Sequence, residues 1–220
     1  MQVEQLRPGL WRWTTTHPEW TEEQGGAEGW EAEVSSFALV EEDALVLIDP
    51  LVPAEDENEE RFWRALDDDV AHHGPPQILL TLFWHVRSSP VIRARYPGAR
   101  VWAPARRAEE ARKRVEVDET FGGGDRLPGG IEVKPTVHRA EELFWIPAHR
   151  ALVAGDVLLG TGGGGVRVCP DSWLVPGVTG SMLRDALQPL LDLPAELLLV
   201  AHGEPVLGGG RDALAAALAR

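Results

Sequence analysis

Three polar residues stand just beyond apolar stretches of the chain: Asp49 after ALVLI, Asp156 after ALVAG and His202 after LLLVA. Carboxylate oxygen and imidazole nitrogen are ligands suited to zinc, manganese or iron. Loops beyond strand ends are also where a rigid sheet holds reacting groups in place. Spacing along the chain does not by itself make the three neighbours. Other reactive residue types read more simply. Cys169, the one cysteine, has Val168, Pro170 and Asp171 beside it and reads as a small buried hydrophobe. Cys169 and His17 stand as a third source of chemistry, although the neighbours of Cys169 supply no evident activating partner. His72-His73 precede Gly74-Pro75-Pro76 and read as a helix end rather than a metal site. No Gly-x-Ser-x-Gly elbow occurs, and Ser181 reads as a helix cap. The glycine-rich stretch 121–130 leads into a strand instead of a helix N-terminus, so it is a β-connection and not a phosphate cradle.

The elements that must position these residues follow from pattern. Short apolar runs at 35–40 and 44–48 form a hairpin around the turn 41–43, and Asp49-Pro50 ends the second strand. Residues 55–72 carry Phe62, Leu66 and Val70 on one helical stripe, with an acidic start that suits the positive end of the helix dipole. A buried strand at 77–81, a helix at 89–95 opened by Ser89-Pro90, a strand at 100–103 and a helix at 105–114 continue the alternation. Strands at 131–134, 143–146, 151–154 and 197–201 and a closing helix at 211–220 complete it, with 160–165 a flexible segment. Strand-helix alternation of this kind predicts α/β layering. The early tryptophans, Trp11, Trp13, Trp20 and Trp30, suit either the cover of a sheet face or the lining of a ligand groove, and the loop 25–29 lies among them.

Composition narrows the classes of partner. The chain has 220 residues, 44% hydrophobic and 25% charged, ordinary values for a folded domain, and a single domain over 1–220 is expected. A net charge of −14 disfavours a nucleic-acid surface. Residues 1–9 contain no apolar leader segment, and no run approaches the length that spans a bilayer, so a cytoplasmic, non-membrane protein is expected.

The order of motifs resembles the metallo-β-lactamase fold superfamily over about residues 35–206. ALVLIDP is similar to the early strand that ends in aspartate, here Asp49. QILLT is similar to the strand before the His-x-His-x-Asp-His motif. Pro135-Thr136-Val137-His138 resembles the stretch bearing the next histidine ligand. ALVAGDVL resembles the segment that ends in glycine and a metal-bridging aspartate, and LLLVAHGEPV the last histidine-glycine motif. The resemblance implies a four-layered αβ/βα sandwich with a site along one edge. The central motif departs from the pattern: Leu82 and Trp84 stand at the paired histidines, Val86 at the aspartate and Arg87 at the following histidine, with His85 one position out of register. In an extended segment His85 would face away from the side bearing residues 84 and 86.

The resemblance therefore leaves His138, Asp156 and His202 as metal ligands, with His85 a further donor. The cofactor is either absent or one divalent ion, zinc, manganese or iron. No residue is singled out as catalytic. A permanently charged Arg87 opposes a cation in the same pocket. It either pairs with Asp156 or Asp49, or it receives an anionic ligand together with Trp84, His85 and Asp49. Two functions stand side by side: a protein with a largely lost metal site that binds a small anion or other ligand, and a hydrolase with an altered mononuclear site acting on an ester, thioester, lactone or phosphoester.

Overall fold

The computed structural model describes residues 1–26, 28–42, 44–138 and 141–219. The turn expected at 41–43, the loop 25–29 and the helix expected over 211–220 each include a residue outside that set: Asp43, Ala27 and Arg220.

The first half of the chain builds a seven-stranded sheet with strands in sequence order: β1 (Gln2–Arg7), β2 (Leu10–Thr16), β3 (Glu33–Val40), β4 (Leu45–Ile48), then, after helix α1 (Asp56–His73), β5 (Gln77–Leu79). Helix α2 (Ser89–Arg95), β6 (Arg100–Pro104), helix α3 (Ala108–Arg112) and β7 (Glu119–Phe121) follow. Strands β1 to β4 are antiparallel, and β4 to β7 are parallel through the helical crossovers. The second half builds a five-stranded sheet from β8 (Arg126–Leu127), β9 (Ile131–Pro135), β10 (Glu142–Ile146) and β11 (Ala151–Ala154), joined in parallel by β14 (Leu197–Val200). A separate hairpin, β12 (Leu158–Gly162) and β13 (Gly165–Val168), and the helices α4 (Gly180–Leu187) and α5 (Gly210–Leu218) complete the chain.

Side-chain alternation explains the layering. In β4, Val46 and Ile48 enter the core between the sheets while Leu45 and Leu47 meet α1 and α2 on the outside. In β10, Phe144 and Ile146 face inward and Leu143 and Trp145 outward; in β14, Leu197 and Leu199 face inward and Leu198 and Val200 outward. Strands buried on both faces read as unbroken apolar runs, and their two faces feed two different cores. The order helix, sheet, sheet, helix is the αβ/βα sandwich that the resemblance implies.

Several local expectations are revised. Residues 2–7 form an edge strand, and the glycine-rich 160–165, read as a flexible segment, spans the tip of a β-hairpin. Thr179, not Ser181, caps α4, its Oγ1 accepting from the Met182 amide at 3.3 Å. Residue 88, not 89, occupies the cap position of α2, and Ser89 is buried in the first turn. Trp11 and Trp13 cover the outer sheet face, with the Trp13 ring 5.6 Å from Phe62 and its indole N–H bonded to the Leu51 carbonyl at 2.8 Å. Cys169 is buried in the outer core of the five-stranded sheet, and burial pushes its thiol up to about 12, so it acts as a hydrophobe there.

Candidate functional site

Two isolated bridges stitch the sheets together at one edge. Val34 pairs with His202, supported by the Ser35 amide donating to the Ala201 carbonyl at 2.8 Å. Leu82 pairs with Glu141, and the Glu142 amide donates to the Thr81 carbonyl at 3.0 Å. The ends of β3, β4, β5, β11 and β14 therefore meet, and with them Asp49, the turn 82–87, Asp156 and His202. Gly155 is needed for this approach: a Cβ there would stand 2.3 Å from Leu82 Cδ2 and 2.6 Å from Thr81 Oγ1.

Asp49 organises the near side. Its Oδ1 accepts from the Thr81 amide at 2.8 Å, and its Oδ2 takes the Thr81 hydroxyl and lies 2.8 Å from His85 Nδ1. Both Asp49 and Arg87 have left-handed backbones, with φ of 48° and 40°, a conformation that costs a non-glycine residue about 1 kcal/mol or more. Residues 83–88 coil as turns instead of extending. That coiling brings His85 into the buried cluster alongside Trp84, overturning the alternation expected of an extended segment.

Asp156 is the centre of the far side. Its Oδ1 lies 3.4 Å from His85 Nε2 and 3.2 Å from His202 Nε2, and its Oδ2 accepts the Trp84 indole N–H at 2.9 Å. Burial and the Arg87 charge push the His85 imidazolium down, but the carboxylates of Asp49 and Asp156 override them and its pKa is raised. Burial opposes ionisation of Asp156; the His85 and His202 contacts outweigh it and hold the carboxyl well below the usual range. His202 is shifted down by burial despite Asp156, and burial with the Arg87 charge lowers His17 to about 4. The contacts that favour the charged form of His85 are those with Asp49 and Asp156.

The support beneath Asp156 escapes a reading of the sequence. Buried Glu141 accepts the Gly155 amide at 2.8 Å and those of Asp156 and Val157 at 2.9 Å each, fixing the loop that carries the aspartate. Burial and then the Asp156 charge push its pKa up to about 8 against the lowering effect of the amides. No pattern around Glu141-Glu142 in the sequence distinguishes it from a surface acid.

Arg87 does not form the ion pair with Asp156 or Asp49 that the sequence allows. Its Nη1 donates to the carbonyls of Ser35 and Asp49, both at 2.8 Å, and lies 3.4 Å from Ser36 Oγ. No described carboxylate lies within 4.0 Å of its guanidinium, and its Nη2 makes no hydrogen bond among the described residues. Arg87 lines a cavity of about 300 Å³ with His17, Glu19, Trp30, Trp84, His85, Arg114, Asp156, Trp173 and His202. Trp30 and Trp173 reach it through the loop after β2: the Trp173 indole N–H donates to the Glu28 carbonyl at 2.8 Å.

Among the described residues, the group able to hold a metal is His85, Asp156 and His202, their ligand atoms all within 4.8 Å of one another. Spacings of 3.2 and 3.4 Å match those between ligands placed ~2 Å from a tetrahedral ion. Asp49 on His85 Nδ1 is the kind of outer partner that orients a ligating histidine. The donor set fits one ion held by three ligands. Among the described residues no second group of three such ligands is present, and Leu82, Trp84, Val86 and Arg87 carry no carboxylate, imidazole or thiol. His138 is not in the group, contrary to the ligand set drawn from the resemblance. It stands beside Trp84, ring centroids 6.0 Å apart, and it is Trp84 that takes the flank of Asp156.

No family model matches the chain, and no curated relative matches it. Solved structures do. The mono-zinc form of the metallo-β-lactamase FIM-1 from Pseudomonas aeruginosa aligns with a TM-score of 0.69 at 12% identity, over 99% of this chain and 94% of that one. A metallo-β-lactamase from Pontibacter korlensis gives 0.69 at 16% identity over 100% and 99%. A metallo-β-lactamase family protein from Thermus thermophilus gives 0.69 at 19% identity over 98% and 80%. At such identities the likeness establishes architecture alone: this chain has the metallo-β-lactamase fold, and the fold's metal site is reduced in it to a partial set of three ligands.

Proposed function

We propose that this edge of the sandwich binds a small anionic molecule and does not work as a metal-dependent catalyst. Arg87 carries the reading. It is a permanent charge on the cavity wall with no carboxylate partner and with Nη2 unbonded among the described residues. The two nearest carboxylates, Asp156 and Asp49, make their direct contacts with His85, and Asp49 also accepts from Thr81. Glu19 is exposed, so water screens it. Arg114, also exposed, adds a second guanidinium at the rim.

In this account Arg87 Nη2 donates to the ligand's oxygens, Trp84 and Trp30 wall the cavity and exclude water, and His85 presents Nε2–H from a ring fixed by Asp49. Exclusion of water lowers the local dielectric and strengthens the Arg87 attraction. The same reading makes the chain one cytoplasmic domain; its net charge of −14 argues against nucleic acid as the partner. No described helix is long and apolar enough to cross a membrane.

Calorimetric titration with inorganic phosphate and with acetate tests the proposal. Binding at one site is expected, weakened about tenfold or more in Arg87→Ala and partly restored in Arg87→Lys, with each variant's folded state checked by its thermal midpoint. Equal binding by parent and Arg87→Ala across both anions would remove it.

A second reading is favoured by the convergence of His85, Asp156 and His202. In it those three hold one zinc, manganese or iron ion, and Asp49 orients His85. A bound ion supplies a polarised, more acidic water, here directed at an ester, thioester, lactone or phosphoester. Hydrolysis of an ester and a phosphoester panel that rises in proportion to added metal would favour this reading over the first.

A further inference from the structure

A larger cavity shares two walls with the anion cavity. It is a trough of about 630 Å³, and Trp30 and His202 line both. Inorganic phosphate or acetate would fill a small part of the first cavity and none of the second. Volumes of roughly 300–1,000 Å³ are those that enclose organic ligands of drug size.

The lining states what kind of ligand fits. Trp20 lies in the trough and donates its indole N–H to the Trp30 carbonyl at 2.9 Å. The indole N–H of Trp84 goes to Asp156 and that of Trp173 to Glu28. Three of the rings around the two cavities therefore have their hydrogen-bond donors committed to the protein, and what they offer a ligand is π-surface. Trp30 is held at the junction. Its amide donates to the Gln24 carbonyl at 3.0 Å, and its ring packs edge-on to His17 at 5.2 Å and to His202 at 5.1 Å. Gly26 and Gly162, where a Cβ would meet nothing within 4 Å, supply bare main chain along the trough, and bare backbone lets a flat group lie close.

We propose that the natural ligand is an elongated aromatic anion, its acid group at Arg87 and its flat ring system laid past Trp30 into the trough toward Trp20. This rests on the anion-binding reading of Arg87 and adds the chemical class of the ligand. Aromatic contacts of this kind, with the area they bury, bring at least an order of magnitude in affinity.

Calorimetric titration of the untagged full chain with acetate, biphenyl-4-carboxylate and the neutral biphenyl-4-carboxamide tests it. The biphenyl acid is expected to bind on the order of tenfold or more tighter than acetate, and the amide more weakly than the acid. Thr161 is exposed at the hairpin tip and lines only the trough. Thr161→Trp, which fills the trough, is expected to abolish the advantage of the biphenyl acid and leave acetate affinity unchanged. Trp20→Ala is expected to reduce the same advantage, which keeps the test decisive should either variant fold poorly. Equal affinity for acetate and the biphenyl acid would overturn the elongated ligand while leaving Arg87 as an anion site. Binding of the neutral amide as tight as the acid, or no binding of either anion, would overturn both.

Discussion

The two sheets end at the same edge with different chemistry. The five-stranded sheet presents Asp156 after β11 and His202 after β14, the residue types expected of a metal centre in this fold, each just beyond an apolar strand. The seven-stranded sheet presents Asp49 and then a turn in which Leu82, Trp84, Val86 and Arg87 replace ligands. The contrast shows what a buried aspartate requires when one side of its metal centre is rebuilt. A carboxylate with little exposure must be paired or strongly hydrogen-bonded. Asp156 is given His85, His202 and the Trp84 indole, while Glu141 pins its loop from below. Three of those four partners lie outside the residues that the motif pattern would nominate.

The difference can be broken from the five-stranded side first. Glu141→Ala would leave the amides of Gly155, Asp156 and Val157 buried without an acceptor, at about 1–3 kcal/mol each when unsatisfied. A loss of about 3 kcal/mol or more is expected in urea denaturation, with Glu141→Gln losing less. A loss below about 1 kcal/mol would mean that the loop holds itself.

From the other side, His85→Ala removes the cation shared by Asp49 and Asp156. Leaving buried charge uncompensated is expected to cost about 2–4 kcal/mol near pH 6. Because the His85 pKa is raised on folding, its contribution is complete below the ordinary histidine value and fades as pH rises through the folded pKa. The gap between parent and variant should therefore narrow in alkaline solution; a gap independent of pH would show that the ring acts through packing.

The neighbouring acids sharpen the same comparison at smaller scale. Glu141 has three amides, whereas Glu142 is buried with Oε2 unpartnered among the described residues, and burial pushes its pKa from 4.5 to about 7. A raised carboxyl pKa stabilises the fold below the unfolded value and loses that contribution as pH climbs to the folded one. Glu142→Gln should thus match the parent near pH 4.5 and exceed it by about 1–2 kcal/mol at pH 8. Parallel stability profiles across that range would contradict the assignment.

Legibility in the sequence follows burial. β4, β10, β11 and β14 stand out because both their faces are apolar, and α1 because Phe62, Leu66 and Val70 share a stripe. β1 does not, since QVEQLR is a largely exposed edge strand, and the hairpin of β12 and β13 is glycine-rich main-chain pairing with few side chains to report it. Within the site, Asp49, Asp156 and His202 are visible as polar residues beyond strands. The inward turn of His85 is not, because coiling at 83–88 decides it, and neither is Glu141, whose role exists only once β10 lies beside the loop after β11. His138 reads as a ligand from its place in the motif order; the space beside Asp156 belongs to Trp84. The early tryptophans divide, Trp11 and Trp13 to the outer sheet face and Trp20 and Trp30 to the cavities.

The anion-binding reading requires that Asp49, His85 and Asp156 hold together without a bound metal. Metal analysis of untagged protein, followed by thermal unfolding with and without a strong chelator, tests it most directly. Metal well below one equivalent and a midpoint unmoved by the chelator are the predicted results. One tightly held ion per chain, whose removal lowers the midpoint, would contradict it.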